Sequence, residues 1–416
     1  MKILHLAMHE SSGAGRAALR LHLGLLNEKI NSSVLVLQKG TALQTVQKLD
    51  SQTVLYKKIQ SKLLVKTLNL FFTCNTTFSL NATPSLIQSR IKNLNPNIIN
   101  LHWVGWEFLR IEDLKDFKIP CVWTLQDMWP FTGGCHYNQD CNHYTSSCGA
   151  CPQLHSNKNS DLSHWVWQRK AKAWKDLNLT IVAPSSWMAQ CARSSSLFRE
   201  LRIEVIPFCL DTEKYKPLNC KLARKLLNLP QDKQLVLFGA LSATTDIRKG
   251  FHLLLLALRY LSKSGWGERL ELAVFGATQP ENPVDLGFKT HYLGHINEDL
   301  SLANVYSAAD VMIVPSIQES FGQTASESLA CGTPVVAFDA TGLKDIVDHK
   351  QDGYLAQPFE IEDLAKGIAW TLEDKERHQK LCKYAREKAE QKFALELQAR
   401  RYMSLYADIL DQATWH

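Results

Sequence analysis

Pro315-Ser-Ile-Gln-Glu319-Ser-Phe321-Gly322-Gln-Thr324-Ala-Ser-Glu327-Ser-Leu-Ala-Cys-Gly332-Thr-Pro334-Val-Val-Ala-Phe338 sets two carboxylates eight residues apart around a strand-to-helix junction. The apolar run 311–314 just before it reads as a buried strand, Phe321-Gly322 as the turn, and 324–330 as the start of a helix that Gly332 ends. A helix start leaves backbone N–H groups without an intrahelical partner, and here they would face whatever lies beyond the strand's carboxyl end. Glu319 falls on the loop and Glu327 two turns into the helix. The pair can therefore grip different parts of one elongated ligand rather than share a proton. Phosphate on the amides and hydroxyls on the carboxylates describe a grip on a nucleotide sugar.

Outward from this segment, strands and helices alternate along the whole chain. Strands are expected at 2–7, 33–38, 97–102, 121–125, 180–184 and 203–207, then at 235–239, 272–276, 291–293, 311–315 and 333–338, with helical patterns between them. That alternation describes an α/β protein with two doubly wound, Rossmann-like parallel sheets. A chain of 416 residues exceeds one ordinary core. The break belongs at 205–217, where a strand gives way to Pro207, a turn and Pro217. This makes 1–206 one domain and 207–393 the other, with helix from 361 to about 411.

Composition narrows the function classes. The net charge of +6 is spread thinly, against a nucleic-acid binder, which concentrates Lys and Arg on one face. No stretch approaches the roughly 20 uninterrupted apolar residues of a membrane span. The first residues turn polar too soon for a signal peptide, so a cytoplasmic location is expected. The eleven cysteines are then mostly reduced, and Asn-x-Ser/Thr sites such as Asn75 and Asn178 carry no meaning. Lys58, Lys62 and Lys66 recur every four residues on an expected helix whose other face carries Leu63, Leu64, Leu68, Phe71 and Phe72. Two readings stay open: an ordinary surface helix, or one resting on an anionic membrane.

The Glu319–Glu327 pair, flanked by strand, Phe-Gly turn and Cys-Gly-Thr-Pro-Val-Val, resembles the E-x7-E signature of the retaining glycosyltransferases of family 4, which have the two-domain GT-B fold. The resemblance implies that Glu319 contacts the transferred sugar and Glu327 the nucleotide ribose. It also implies a donor site completed by Phe321, Gly322, Thr324 and the strand-end Gly239, and a last helix, about 394–416, that packs back on the first domain. Thr244-Thr-Asp246-Ile-Arg248-Lys249-Gly250 adds two cations at a helix start, suited to a pyrophosphate and its leaving-group charge. The family has an Arg directly after the strand-end Gly, where this chain has Ala240.

In the first half, Gly13-Ala-Gly15-Arg16-Ala-Ala18 matches G-x-G-x-x-A. A dinucleotide site also wants an acidic residue at the end of strand two, and Gln38-Lys39 stand there. The resemblance gives Gly13, Gly15 and Arg16 a place near donor phosphate and acceptor; close helix-on-strand packing is the other reading. Trp123-Thr-Leu-Gln126-Asp127-Met-Trp-Pro-Phe-Thr-Gly133-Gly134-Cys135 is similar to the Thr-Leu-His-Asp-x-Trp-x-Phe-Thr-Gly-Gly-Cys pattern of a subgroup from bacterial exopolysaccharide pathways. It implies catalytic roles for Asp127 and for Gln126, which stands where the subgroup has His. An amide donates a hydrogen bond to a sugar hydroxyl but takes no proton at neutral pH.

Cys135, Cys141, Cys148 and Cys151 follow, with His136 and His143 interleaved. Structural zinc, buried reduced thiols and a disulfide all fit that spacing. No cofactor is required for catalysis, since Arg and Lys supply the cations. The resemblance implies a nucleotide-diphosphate sugar donor and a glycan or lipid-linked acceptor in polysaccharide synthesis. A nucleotide-sugar epimerase and a non-catalytic binding module are the alternatives.

Overall fold

Two parallel sheets carry the chain, and the computed structural model describes residues 1–71, 77–240, 244–281 and 284–413 of it. One unit comprises Met1–Pro207 together with the chain from Gln398 on, and the other Phe208–Leu397. The first holds β1 (Lys2–His9), β2 (Asn31–Gln38), β3 (Val46–Lys48), β4 (Ile98–Leu101), β5 (Cys121–Thr124), β6 (Leu179–Ala183) and β7 (Ile203–Val205). They lie in the order β3-β2-β1-β4-β5-β6-β7, every pairing parallel. The second holds β8 (Gln234–Gly239), β9 (Leu270–Phe275), β10 (Thr290–Gly294), β11 (Val311–Val314), β12 (Val335–Phe338) and β13 (Gly353–Ala356). Their order, β10-β9-β8-β11-β12-β13, is again wholly parallel.

β4, β5, β6, β9, β11 and β12 are buried along their whole length, as parallel strands covered on both faces must be. The expected α/β fold of two doubly wound sheets is the one found. All eleven expected strands are present, and β3 and β13 are additional. β3 is only Val-Gln-Lys, and β13 opens on a glycine; both are edge strands too short to show a period.

In each sheet the strand order reverses at one place, between β1 and β4 and between β8 and β11. Doubly wound sheets bind ligands at the carboxyl ends of the strands beside such a reversal. The β1 and β4 loops of the first unit, and the β8 and β11 loops of the second, are therefore the places to look.

The last helix, Leu395–Ala413, sets two buried tyrosines one turn apart against the first sheet. Asn100 of β4 donates to the Tyr406 hydroxyl at 2.6 Å, and the Thr124 and Tyr402 hydroxyls meet at 3.0 Å. Helix Ser51–Phe71 turns Val54 and Lys57 inward, whereas Leu55, Ile59 and Leu63 are exposed beside the exposed Lys58, Lys62 and Lys66. Leu63 stands in solvent; the side chains of Leu64, Leu68 and Phe71, together with Phe72 and Asn75, lie outside what is described. Among the described residues no helix is long and apolar enough to cross a membrane.

Candidate functional site

In the second unit the loop after β8 and the loop after β11 are zipped together. Gly250 takes a left-handed φ of 71°, and a Cβ there would stand 1.8 Å from the Pro315 carbonyl oxygen, so only glycine lets the two loops touch. Two residues away along each loop, the Ile317 N–H donates to the Arg248 carbonyl at 2.8 Å. This contact carries Lys249 onto Glu319: its ammonium pairs with Glu319 Oε1, which also accepts from the Ser316 hydroxyl at 3.1 Å. Arg248 Nη1 stands 4.0 Å from Glu319 Oε2 and donates to the Gln318 carbonyl at 3.0 Å; Nη2 reaches Asp246 Oδ2 at 2.8 Å.

Burial alone would push the Glu319 carboxyl up, but Lys249 and Arg248 outweigh it and hold it below the usual carboxylate range. The expected cationic clamp is therefore compensated within itself, two cations facing the carboxylates of Asp246 and Glu319. Asp246 lay inside the loop read from the sequence without being singled out. Ser316, and Thr341, whose hydroxyl accepts from the Glu319 N–H at 3.1 Å, carried no signal at all.

The helix after this loop, Gln323–Ala330, opens on Gly322 at φ 109°. Thr324 sits half-buried in its first turn, where N–H groups point out of the helix. Phe321 is a core residue: its ring packs on Phe208 at 5.1 Å and Phe393 at 5.7 Å and is 1% exposed, so only its backbone is available to a ligand. Gly239 likewise serves packing, because a Cβ there would stand 2.3 Å from the Phe275 ring. Glu327 is the fifth residue of the helix, one turn in rather than two, and its buried carboxylate accepts from the Tyr306 hydroxyl at 2.8 Å. Arg248, Lys249 and Glu319 are thus brought together, whereas Glu327 has a partner of its own.

In the first unit, helix Gly13–Asn27 is capped by the Ser12 side chain, which accepts from the Gly15 N–H. A Cβ on Gly15 would stand 1.9 Å from the His9 carbonyl oxygen, so this glycine allows the helix to lie on the end of β1. Gly13 is exposed and Arg16 half-buried beside it.

Asp127, expected as a catalytic carboxylate, has both oxygens engaged within the unit. Oδ1 accepts from the Trp129 N–H at 2.9 Å, and Oδ2 from Trp103 Nε1 and His136 Nδ1, each at 2.6 Å. His136 Nε2 continues the chain to the Ser79 hydroxyl at 2.8 Å. Gln126 is buried, its amide nitrogen 3.4 Å from His102 Nδ1, and His102 Nε2 lies 3.0 Å from His5 Nδ1. Burial lowers both imidazoles, His102 to about 3, so each is neutral at physiological pH. Neither histidine was singled out in the sequence: His5 lies inside β1 and His102 directly after β4, and no local spacing marks either.

The four clustered cysteines line one cavity of about 20 Å³. All four thiols are free, and burial pushes Cys148 up to about 12 and also raises Cys135 and Cys151. Among the described residues no three His, Cys, Asp or Glu side chains are placed to hold a metal ion. As they stand, Cys135 and Cys151 are buried and Cys141 and Cys148 half-buried around that cavity, each with a free thiol.

Residues 222–388 match the family model described as glycosyl transferases group 1. Among curated proteins, a D-inositol 3-phosphate glycosyltransferase of Saccharomonospora viridis is 34% identical over 195 residues, 44% of this chain and 44% of that protein. An N-acetyl-alpha-D-glucosaminyl L-malate synthase of Bacillus anthracis is 29% identical over 110 residues, 26% of this chain and 29% of that protein. The chain thus spans less than half the length of these two relatives. Among solved structures, sucrose-phosphate synthase from Thermosynechococcus elongatus superposes with a TM-score of 0.73 at 19% identity, covering 99% of this chain and 100% of that one. Anabaena HepE in complex with UDP-glucose gives 0.66 at 19% identity over 97% and 99%. These likenesses establish the fold, two Rossmann-like domains of the GT-B kind.

Proposed function

We propose that this chain is a retaining, metal-independent glycosyltransferase that moves a sugar from a nucleotide-diphosphate donor to a hydroxyl of a glycan or lipid-linked glycan. The observation that carries the reading is Arg248, Lys249 and Glu319 assembled at the carboxyl ends of β8 and β11, directly before a helix start. The group 1 match over the same unit supports it. The donor diphosphate takes over Lys249 and Arg248 from Glu319 and Asp246, and the released Glu319 meets the sugar hydroxyls. The bond from the anomeric carbon to the diphosphate oxygen breaks, the bond to the acceptor oxygen forms on the same face, and the acceptor proton passes to the departing phosphate. Gln126, which cannot take a proton, suits that route. The names of the relatives keep small polyols and hydroxy acids in view as other acceptors, and the UDP-glucose complex makes a uridine nucleotide the first donor to test.

A thermal-shift screen with UDP-, GDP- and ADP-sugars identifies the donor. Glu319→Ala then abolishes turnover while Glu327→Ala, through loss of the Tyr306 contact, mainly weakens nucleotide binding; equal turnover in all three proteins refutes the assignment. A nucleotide-binding module without activity would show the shift and no product.

Contact with an anionic membrane at the cytoplasmic face is a second proposal. It rests on helix Ser51–Phe71, whose exposed Leu55, Ile59 and Leu63 run beside Lys58, Lys62 and Lys66.

A further inference from the structure

The turn after β4 holds two consecutive non-glycine residues in the left-handed region, Trp106 at φ 47° and Glu107 at φ 64°. Such backbone is costly for residues with side chains and persists only where surrounding groups enforce it. The enforcement is visible. The Trp106 N–H donates to the Ser79 hydroxyl at 3.1 Å, and that hydroxyl is held by the His136–Asp127 chain. The Glu107 N–H donates to Asn81 Oδ1 at 3.2 Å, while Glu107 Oε2 accepts the N–H groups of Ala82 and Thr83, both at 2.7 Å. Lys57 completes the clamp through the Glu107 carbonyl at 2.7 Å.

All this buried polar structure serves to present one indole to solvent. Trp106 is 46% exposed, and its ring meets Trp103 edge-on at 5.0 Å and 89° and His9 at 6.5 Å and 71°. Asp127 fixes the Trp103 ring through its Nε1–H. The Met8 N–H donates to the Trp103 carbonyl at 3.0 Å, and His9 ends β1, so the aromatic group stands where the strand order of the first sheet reverses. Asp127, His136 and Ser79 thus have a task other than proton transfer: they aim an aromatic wall at the ligand end of the sheet.

The geometry points to Trp106, walled by Trp103 and His9, as a stacking subsite for a pyranose ring of the acceptor. A flat indole face takes the axial C–H groups of a sugar, the two edge-on rings limit where that sugar lies, and His9, one ring nitrogen of which is held by the Gln38 side chain, offers its other nitrogen to a sugar hydroxyl. The assignment of the ring to an acceptor rests on the glycosyltransferase reading; the binding of a sugar does not.

Saturation-transfer NMR with the methyl glycosides of glucose, galactose, mannose and N-acetylglucosamine tests it, with D-inositol 3-phosphate, L-malate and UDP as separate ligands. At least one glycoside should receive saturation on its ring protons, lose about fivefold or more in affinity in Trp106→Ala, and keep most of it in Trp106→Phe, with UDP affinity unmoved. No transfer to any glycoside, or equal transfer in Trp106→Ala, overturns the subsite; so does binding of the inositol phosphate or malate alone. Glycoside binding without UDP or any nucleotide-sugar binding would instead sink the donor reading and leave the subsite standing.

Discussion

Lys249 decides whether Glu319 can be a carboxylate at all. Burial opposes its charge, and the two cations reverse that. In the wild type the folded pKa lies below the unfolded one, so this group contributes stability above the unfolded carboxylate pKa and loses it as pH falls through the folded value. In Lys249→Met, burial of the Glu319 carboxyl is opposed only by Arg248 and the Ser316 hydroxyl. The variant should lose ~3 kcal/mol at neutral pH. It should recover part of this relative to wild type at about pH 5, where protonation relieves the buried charge. Urea melts at the two pH values measure it; a deficit that does not shrink in acid means Glu319 is not the group responsible. Arg248, Lys249 and Glu319 were legible because each lies in a loop between a strand's carboxyl end and the next helix, where an α/β sheet exposes its loops. The Tyr306–Glu327 bond and the Asp127–His136–Ser79 chain were not. Such pairings depend on which side chains a three-dimensional packing brings face to face, and no local spacing encodes that.

Among the elements, helix Ser51–Phe71 has the most unusual surface. A helix that serves only to cover a sheet buries its apolar stripe; this one leaves Leu55, Ile59 and Leu63 in solvent and turns Lys57 inward, where burial lowers that amine to about 8. Replacing Lys58, Lys62 and Lys66 together by Gln should weaken binding to phosphatidylserine vesicles about 100-fold, from ~1 kcal/mol per cation near the surface. Undiminished co-sedimentation of the triple variant would leave the helix as ordinary protein surface. The recurrence of lysine every four residues was plain in the sequence. Which apolar residues share the solvent side was not, because that depends on how the helix rolls against Glu107 and Thr83. The Glu319 segment was the opposite case: strand, turn and helix each had their own local signal, and the helix began within one residue of its expected start.

Across the whole molecule, titration should separate the two units. The first buries His5, His22 and His102, all shifted down by burial, His22 to about 4 and His102 to about 3. Their surroundings include one another, Ser32 and Thr45 on His22, and the Gln126 amide on His102. Folded, they stay neutral; unfolded, they take protons below about pH 6.5. The unfolded state then binds more protons, so stability falls with pH from about 6.5 downward, by about 1.4 kcal/mol per pH unit for each histidine. Hydrogen exchange of the full chain, corrected for intrinsic rate, should show β1, β2 and β4 losing protection between about pH 7 and pH 5 while β8, β11 and β12 keep theirs. Uniform loss would mean that these imidazoles do not set the acid stability. The sequence alone determined two parallel sheets, eleven of their thirteen strands and the loops that bear the cations and Glu319, because hydrophobic period and turn chemistry are local properties. Only the tertiary structure decided that Phe321 and Gly239 pack, that Asp127 aims a tryptophan, that the clamp's charges cancel and that four thiols share a cavity. Those outcomes come from burial and from partners distant along the chain, and both exist only once the sheets have formed.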